Sequence, residues 1–272
     1  MSHVVVLGAG IIGIATAYYL HKAGHRVTII ERNAEAGLET SYANGGQLSY
    51  SYVAPLAGPG VVPKIPPWLL RADSPLRFYP KFDLDQWRWC LDFVRACNRS
   101  QAEISTVHLL RLAYYSRDLI HEIVASEPVS FDYRRNGKLV IFSDAASFDA
   151  AKRTLDFQRA FGSELRIAGL ADIAGYDKTL DRVRVRLLAR HAKAVFPHAG
   201  DYGADLQPWC GLRPATPKGT PIVGASPIAN LFVNAGHGAL GWTLSFGCAK
   251  AVSDLISGQP AGIALEGLTL EA

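Results

Sequence analysis

Residues Val4 to Gly13 read VVVLGAGIIG, an apolar run that leads into three glycines in GxGxxG spacing. In this spacing Gly8 permits a tight turn, Gly10 lets the backbone approach a pyrophosphate, and Gly13 lets a helix pack closely on the preceding strand. Free N–H groups at the start of such a helix bind phosphate oxygens. The stretch therefore predicts a strand, a phosphate-binding turn and a helix. Ala9, Ile11 and Ile12 occupy the positions between the three glycines.

The residues that follow the glycines strengthen this interpretation. Residues 14–23 (IATAYYLHKA) have helical spacing, Gly24 ends that helix, and residues 25–30 (HRVTII) read as a second apolar strand. Glu31 comes next, and an acidic residue at that strand end binds ribose hydroxyls and repels a 2′-phosphate. We therefore predict FAD or NAD rather than NADP as ligand. The alternative is a glycine-rich turn that binds nothing.

Length and composition are those of an ordinary globular protein. The chain has 272 residues, 49% of them hydrophobic and 19% charged, which allows one large domain or two modest ones. A net charge of +4 without a basic stripe of interleaved aromatics argues against nucleic-acid binding. The four cysteines form no CxxC pair and have no histidines at ligand spacing, so neither a metal site nor a disulfide framework is indicated.

The apolar N-terminal run is not predicted to be a signal peptide or a membrane span. No basic segment precedes it, and its glycines stand where a phosphate-binding turn needs them. We expect a cytoplasmic protein without transmembrane helices. Any membrane association would be peripheral, on the inner face of the cytoplasmic membrane.

Two irregular segments are predicted after the first strand pair. Residues 32–52 form a polar loop too long for a simple connector, whose hydroxyl and amide groups either bind a polar ligand or face solvent. Residues 53–80 are rich in proline, which predicts an irregular path over the surface.

Helices and one hairpin are predicted for the middle of the chain. Residues 83–98 are expected to bury a face of Trp87, Leu91 and Val94, with Cys90 and Cys97 on the same side. Residues 131–142 contain an Asn-Gly turn typical of a hairpin. Further helices are predicted at 102–126, 148–161 and 182–191. Their expected inward residues are Leu109, Leu112, Leu119, Ile120 and Ile123 in the first of these, and Leu187 and Leu188 in the last.

A second strand, glycine loop and helix occur near the C-terminus, at residues 230–234, 235–241 and 242–256. Backbone N–H groups at the start of that helix would stabilise negative charge on the edge of a reduced flavin, and the alternative is an ordinary helix cap. Arg213 could hold a substrate carboxylate with its planar fork or form a structural salt bridge. His237 could contact a ligand or be a hydrogen-bonded turn residue.

Four stretches together strongly resemble FAD-dependent D-amino-acid dehydrogenases, part of the family of amine-oxidising flavoenzymes that includes glycine, sarcosine and D-amino-acid oxidases. They are Gly8 to Gly13 with Glu31, residues 39–49 (ETSYANGGQLS), residues 211–224 (GLRPATPKGTPIVG) and residues 234–243 (NAGHGALGWT). The resemblance implies an α/β fold, in which a Rossmann-like FAD domain is joined to a mixed-sheet substrate domain. It also implies oxidation of a D-amino acid by hydride transfer to the flavin, with electrons passed to a quinone or another acceptor.

The resemblance also assigns roles to individual residues. Arg213 would bind the substrate carboxylate, with His237 and Tyr52 as further residues of the substrate pocket. Cofactor contacts fall in three groups, around the ADP half, along the pyrophosphate and flavin, and around the isoalloxazine. They are Gly8, Ala9, Gly10, Ile11, Ile12, Gly13, Glu31 and Arg32; Ser41, Asn44, Gly45 and Gln47; and Gly236, Gly238, Leu240, Gly241, Trp242 and Thr243.

One departure from the family is large. The match runs to about Arg159 and resumes at residues 166–177 (RIAGLADIAGYD), and the long family segment between these blocks is absent. We expect a deletion junction at residues 162–167, an incomplete sheet and impaired FAD binding or folding. The predicted domains are residues 1–52 with 208–272 for FAD and residues 53–207 for substrate. The alternative functions are a related amine oxidoreductase acting on D-proline, hydroxy-D-proline, glycine or sarcosine, and a non-catalytic remnant.

Overall fold

The computed structural model describes residues 1–42, 48–51, 53–66, 76–129, 131, 133, 171–195 and 209–270. Several predictions fall outside these ranges: the predicted hairpin beyond Tyr133, the helix at 148–161 and the junction at 162–167. The site residues outside them are Asn44, Gly45, Gln47 and Tyr52.

The N-terminal unit is a β-α-β arrangement, as the glycine spacing predicts. Strand β1 (His3–Leu7) leads into helix α1 (Ile11–Lys22) and then strand β2 (Arg26–Ile30). The two strands are parallel, with Leu7 opposite Ile30 at the end that carries the glycine turn. After the helix, Gly24 has a φ of +84°, a left-handed conformation that glycine adopts without strain.

The middle of the chain contributes the short strand β3 (Leu76–Phe78) and the helices α2 (Leu84–Ala96) and α3 (Arg99–Ser126). Each helix begins with a side-chain cap: Asp83 accepts a hydrogen bond from Asp85 N, and Asn98 accepts one from Gln101 N. Strand β4 (Ala171–Ile173) pairs with β3 in parallel, and helix α4 (Arg182–Val195) follows it.

The predicted buried face of α2 is wrong. Its Trp87, Leu91 and Val94 are 49%, 50% and 45% exposed, whereas Phe93 and Ala96 are buried. The helix turns its other face inward because Phe93 and Ala96 pack with Ala57. Trp89, which packs against this cluster and stacks on Phe93 at 5.2 Å between ring centroids, also donates its indole N–H to Ala215 O at 2.8 Å.

The inward residues predicted for α4 are also incorrect in part. Leu187 is half-buried, but Leu188 is 44% exposed, and the buried side chain is that of Arg184. Asp181 fixes the start of the helix, because it accepts hydrogen bonds from Val183 N and from the guanidinium of Arg77. Burial is therefore greatest in the first turn, and the later turns are more exposed.

Helix α5 (Gly241–Ile256) lies at the centre of the fold, between α1 and α3. Its Leu244 and Cys248 are fully buried, together with Leu112 of α3. At Gly247 an added Cβ would lie 3.0 Å from Leu112 O, so the glycine allows these helices to approach closely. The antiparallel strands β5 (Ile222–Ala225) and β6 (Phe232–Ala235) precede α5 and pack against it.

The sheet of β1 and β2 leaves apolar side chains open to solvent. Val5 is 48% exposed, Leu7 76% and Ile30 53%. Parallel strands are ordinarily covered on both faces, so such exposure is unusual for their sequence. Within the described ranges these two strands form a sheet of their own, as an incomplete flavin-domain sheet predicts.

Helix α3 has 28 residues and is long enough to cross a bilayer. Neither it nor any other helix in the described ranges has the apolar composition that a membrane span requires.

Candidate cofactor and substrate site

The first glycine turn has the tight geometry that the sequence requires. Gly8 has a φ of +97°, and its N–H donates to Ile30 O at 2.7 Å, which ties the turn to β2. A Cβ on Gly13 would lie 1.9 Å from Gly8 O, so only glycine fits where α1 crosses the turn. Gly10 is less constrained, since its Cβ would meet Ser41 Oγ at 3.3 Å.

Glu31 lies directly against this turn. Its Oε2 accepts a hydrogen bond from Ala9 N at 2.7 Å, and its Oε1 accepts one from Asn33 N at 2.9 Å. The backbone N–H of Ala9, and then that of Asn33, lower the pKa of the Glu31 carboxyl. The side chain is therefore ionised at neutral pH. Asn33 Nδ2 also donates to Oε1 at 2.9 Å, and since a carboxylate has about four lone-pair sites, about one remains for a ribose hydroxyl.

Ser41 caps the helix that follows the glycine turn. Gly10, at the N-cap of α1, has no side chain to offer, and Ser41 Oγ instead accepts a hydrogen bond from Ile11 N at 3.0 Å. An oxygen is thus already held at the positive end of the helix, where a phosphate oxygen would also be stabilised.

Arg32 does not contact the glycine turn through its guanidinium. It pairs with Glu39, which also pairs with Lys178 at 2.8 Å. The hydrogen bond from Lys178, and then that from Arg32, lower the pKa of Glu39 to about 2. The cofactor contact predicted for Arg32 stays a prediction.

The second glycine loop connects β6 to α5 through two residues of positive φ. These are Gly236 at +78° and Gly238 at +55°, and a Cβ on Gly236 would lie 2.6 Å from Thr216 Cγ2. A short 3-10 turn (Gly238–Leu240) then runs into α5 at Gly241. A Cβ on Gly238 would meet no described atom within 4 Å, so the described residues leave space beside this part of the loop.

His237, between those glycines, is turned into the protein. Its side chain is buried, and its Nε2 lies 3.0 Å from Asn234 Oδ1. Burial lowers the pKa of the imidazole to about 4, so the ring is neutral at physiological pH. Of the two roles the sequence allows, the geometry is that of a hydrogen-bonded residue of the turn.

The backbone on either side of Arg213 is bonded to the loop after β2 and to the second glycine loop. The residue before this arginine accepts a hydrogen bond at Leu212 O from Thr40 Oγ1 at 2.6 Å, and the residue after it accepts one at Pro214 O from Gly238 N at 2.8 Å. The Arg213 side chain is exposed, and no described carboxylate forms an ion pair with it. Thus the described part of the chain shows no structural salt bridge at this arginine.

Two side chains that sequence patterns did not single out, Asn234 and Thr16, join the elements that carry the two loops. Asn234 Nδ2 donates to Thr16 Oγ1 at 3.0 Å, joining the end of β6 to α1. Ser49 N donates to Thr243 Oγ1 at 3.3 Å, joining the polar loop to α5. The position of Asn234 at a strand end, directly before a glycine loop, was the one available signal for its importance.

These features fit a flavin adenine dinucleotide. One turn cannot accept a side chain at Gly13, an ionised carboxylate lies beside it, and the described residues leave space next to Gly238 in the second loop. The indole Nε1 of Trp242 at the start of α5 is buried and has no hydrogen-bond partner within the described residues. Across the same residues, no group of three or more His, Cys, Asp or Glu side chains could hold a metal ion.

Comparison with known proteins identifies relatives of this chain. A family described as FAD-dependent oxidoreductases matches residues 3–168 and 159–255. The chain is 33% identical to D-amino acid dehydrogenase 2 of Ralstonia nicotianae, with 96% of this chain and 98% of the relative covered. It is 30% identical to D-amino acid dehydrogenase of Paramagnetospirillum magneticum, with 98% of each covered.

Solved structures of low sequence identity share the fold. Glycine oxidase from Bacillus cereus superposes with a TM-score of 0.59 at 14% identity, covering 96% of this chain and 99% of the other. Iminodiacetate oxidase from Chelativorans sp. gives a TM-score of 0.56 at 18% identity, with 100% of both chains covered. The expected α/β fold of an FAD-binding oxidoreductase is therefore confirmed.

The comparisons also bear on the missing segment. The alignment with the Ralstonia protein has 415 positions and this chain has 272 residues, so at least 143 positions (415 less 272) lie opposite gaps in this chain. The two ranges that match the family overlap at residues 159–168. This overlap contains the junction predicted at 162–167, and it supports a large internal deletion there.

Proposed function

This chain belongs to the family of FAD-dependent oxidoreductases, and we propose that it oxidises D-amino acids. The substrate would lose a hydride from Cα and a proton from its amino group, giving an imino acid that water hydrolyses to a 2-oxo acid and ammonia. FAD, when bound, accepts the two electrons. Relatives at 33% and 30% identity that are named D-amino acid dehydrogenases support this substrate class.

The observation that carries the proposal is the position of Arg213. Hydrogen bonds from Thr40 to Leu212 O and from Gly238 to Pro214 O hold the backbone on either side of this exposed arginine, next to the loop after β2 and the second glycine loop. A guanidinium binds a carboxylate through two parallel hydrogen bonds and so fixes the orientation of an amino acid. Correct alignment of the Cα–H bond contributes more to a hydride transfer than any single acid or base does.

The remaining site residues would hold the cofactor. The first glycine turn and Ser41 would surround the pyrophosphate, and ionised Glu31 would accept a hydrogen bond from the ribose. The start of α5, around Trp242 and Thr243, would lie at the flavin and favour negative charge on its edge. We include Tyr52, Asn44, Gly45 and Gln47 in this proposal on the family resemblance alone.

The proposal extends to the division of the chain and to its partners. Residues 1–52 and 208–272 would bind FAD, and residues 53–207 would contact the substrate. Electrons would pass from the flavin to a quinone or another acceptor. A quinone acceptor would require the protein to act at the cytoplasmic membrane surface, as a peripheral protein.

The purified chain, incubated with FAD and desalted, provides the test. We expect a visible flavin spectrum that D-alanine bleaches under anaerobic conditions and L-alanine does not, with dye-linked turnover of D-alanine. Bleaching by D-proline, hydroxy-D-proline, glycine or sarcosine, but not by D-alanine, would support a related amine oxidoreductase instead. A bound flavin that none of these compounds bleaches would contradict the proposal.

A variant at the proposed carboxylate site sharpens this test. Arg213→Leu removes a charge-assisted bidentate pair worth about 1.5 to 3 kcal/mol, which corresponds to a rise in KM of about 10- to 100-fold with FAD retained. Arg95→Leu is the matched control, because Arg95 is an exposed arginine of α2 that pairs with Asp92. An unchanged KM in Arg213→Leu would remove this arginine from the substrate site.

One observation favours a second candidate, a non-catalytic remnant. The exposed Val5, Leu7 and Ile30 lie on the sheet that would support the cofactor, and at least 143 alignment positions (415 less 272) lack a counterpart in this chain. A chain that retains no FAD after incubation, yet unfolds cooperatively, would favour this candidate.

A further inference from the structure

A series of three hydrogen bonds runs from the second glycine loop into helix α1, and the middle one joins β6 to α1. His237 Nε2 lies 3.0 Å from Asn234 Oδ1, and Asn234 Nδ2 lies 3.0 Å from Thr16 Oγ1. Thr16 Oγ1 then donates to Ile12 O at 2.8 Å, within the first turn of α1, which follows Gly10. The side chains of His237 and Thr16 are buried, and Asn234 is half-buried.

The direction of every bond in this series is determined. Thr16 has a single hydroxyl proton and donates it to Ile12 O, so toward Asn234 it can only accept. The amide NH₂ of Asn234 must therefore face Thr16, which leaves the amide oxygen facing His237. His237 consequently carries its proton on Nε2 and donates it.

We propose that His237, Asn234 and Thr16 form a hydrogen-bonded positioning relay. The relay sets the distance between the second glycine loop, on the flavin side, and the first glycine turn, on the nucleotide side, so that one FAD molecule spans both. The inference rests on the proposed function. In this role His237 contacts neither substrate nor flavin, and acts through Asn234. It replaces the substrate-pocket role that the family resemblance assigns to His237.

The directionality of its hydrogen bonds fits a role of the relay in positioning the two loops better than a role in stability alone. Apolar contacts are non-directional, so α1 and α5 could pack well with the loops displaced along each other. Hydrogen bonds, in contrast, lose strength steeply outside a narrow range of distance and angle. The bond between Asn234 and Thr16 therefore adds a directional constraint on the separation of the two loops, and the bonds with His237 and Ile12 orient the two side chains that form it.

FAD and ADP, which differ in length, distinguish a role in positioning the two loops from a role in supporting the fold. ADP contacts the nucleotide-side turn alone, whereas FAD requires both loops at the correct separation. We expect His237→Phe and Thr16→Val each to weaken FAD binding by about tenfold, the value of about one to two hydrogen bonds, with ADP binding unchanged. Dissociation constants measured by calorimetry for both ligands provide the comparison.

Conservative variants keep the test independent of folding. His237→Gln places a donor near the position of Nε2, and Thr16→Ser retains the hydroxyl, so both should bind FAD within about twofold of the unaltered chain. His25→Phe is the matched control: it removes another buried histidine, whose Nε2 lies 2.9 Å from Ser257 Oγ, outside the relay. The His25→Phe variant should leave the ratio of the dissociation constants for FAD and ADP unchanged.

The relay also predicts that its members are coupled. Once one bond is broken the series no longer fixes the loops, so His237→Phe with Thr16→Val should weaken FAD binding no more than either change alone. Additive losses, or equal losses of ADP and FAD affinity, would overturn the relay while leaving the proposed function in place. Failure of the unaltered chain to bind FAD while it binds ADP would overturn the proposed function and the relay together.

Discussion

The two sides of helix α1 differ sharply in how well they are covered. Toward α5 the helix buries Ala15 and Tyr19, and Ala249 of α5 is fully buried in the contact. On the other side lies the sheet, where Leu7 is 76% exposed and Ile30 53%. The helix packing comes from segments on either side of the predicted deletion junction, whereas the described residues leave these sheet side chains exposed. Stability should therefore reside in the helices.

Truncation of one leucine on each side gives the largest expected contrast. Leu244 of α5 is fully buried, so Leu244→Ala should lower the free energy of unfolding by about 2 to 5 kcal/mol. Leu7→Ala should change it by less than about 0.5 kcal/mol, because the side chain is already in water. Urea unfolding of both variants measures the difference. A cost at Leu7 that matches the cost at Leu244 would mean that the sheet face is covered in solution.

Acid should weaken the helix side through His237. Its pKa is about 4 in the folded chain, against an ordinary value of 6.5, because burial disfavours the charged ring. Between pH 6.5 and pH 4 the unfolded chain therefore binds a proton that the folded chain does not, and stability falls as the pH falls. The full difference corresponds to about 3 kcal/mol.

The contribution of His237 is isolated by comparison with His237→Gln. Burial also lowers the pKa of His108, which contributes in the same direction but is present in both proteins. The loss of stability between pH 6.5 and pH 4 should thus be smaller in His237→Gln, as measured by urea unfolding at several pH values. If the free energy of unfolding fell equally with pH in the two proteins, His237 would be accessible to protons in the folded chain.

The contact between α1 and the sheet depends on Gly13. Gly13→Ala would place a Cβ 1.9 Å from Gly8 O, and overpacking of this kind costs about 1 to 3 kcal/mol. Gly10→Ala is the matched control, because its Cβ would meet only the hydroxyl of Ser41, at 3.3 Å. Thermal unfolding without FAD should show a clear loss for the first and a small change for the second. If the two losses are similar, the sheet moves freely enough to relieve the clash.

The same contrast explains what the sequence could and could not predict. The sequence predicts the turn at Gly8 and Gly13 and the loop at Gly236, because the backbone conformation that glycine permits depends on the residue itself and its neighbours in sequence. It does not predict the buried face of α2, since Trp87, Leu91 and Val94 satisfy helical spacing while the contact with Ala57 selects Phe93 instead.

The long-range polar contacts of the candidate site could not be predicted from the sequence either. The bond between Asn234 and Thr16 spans 218 residues, and no spacing rule predicts a pair at that separation. Thr40, whose hydroxyl donates to the carbonyl of Leu212 directly before Arg213, is 172 residues away from that partner. The motifs therefore predict which loops form the site, whereas contacts between residues far apart in the sequence, which no motif encodes, set how these loops meet.

The smallest expected effect concerns the ion pair between Lys178 and Glu39, which ties the loop after β2 to the segment after β4. Both side chains are partly exposed, at 43% and 31%, and exposed pairs contribute about 0.2 to 1 kcal/mol. Lys178→Met should therefore lower stability by no more than that, and molar salt should remove the difference. Arg117→Met is the control, since Arg117 forms an exposed pair with Asp118 on α3. A loss of several kcal/mol in Lys178→Met alone would mean that this segment supports the open sheet, so that stability is shared between the two sides of α1.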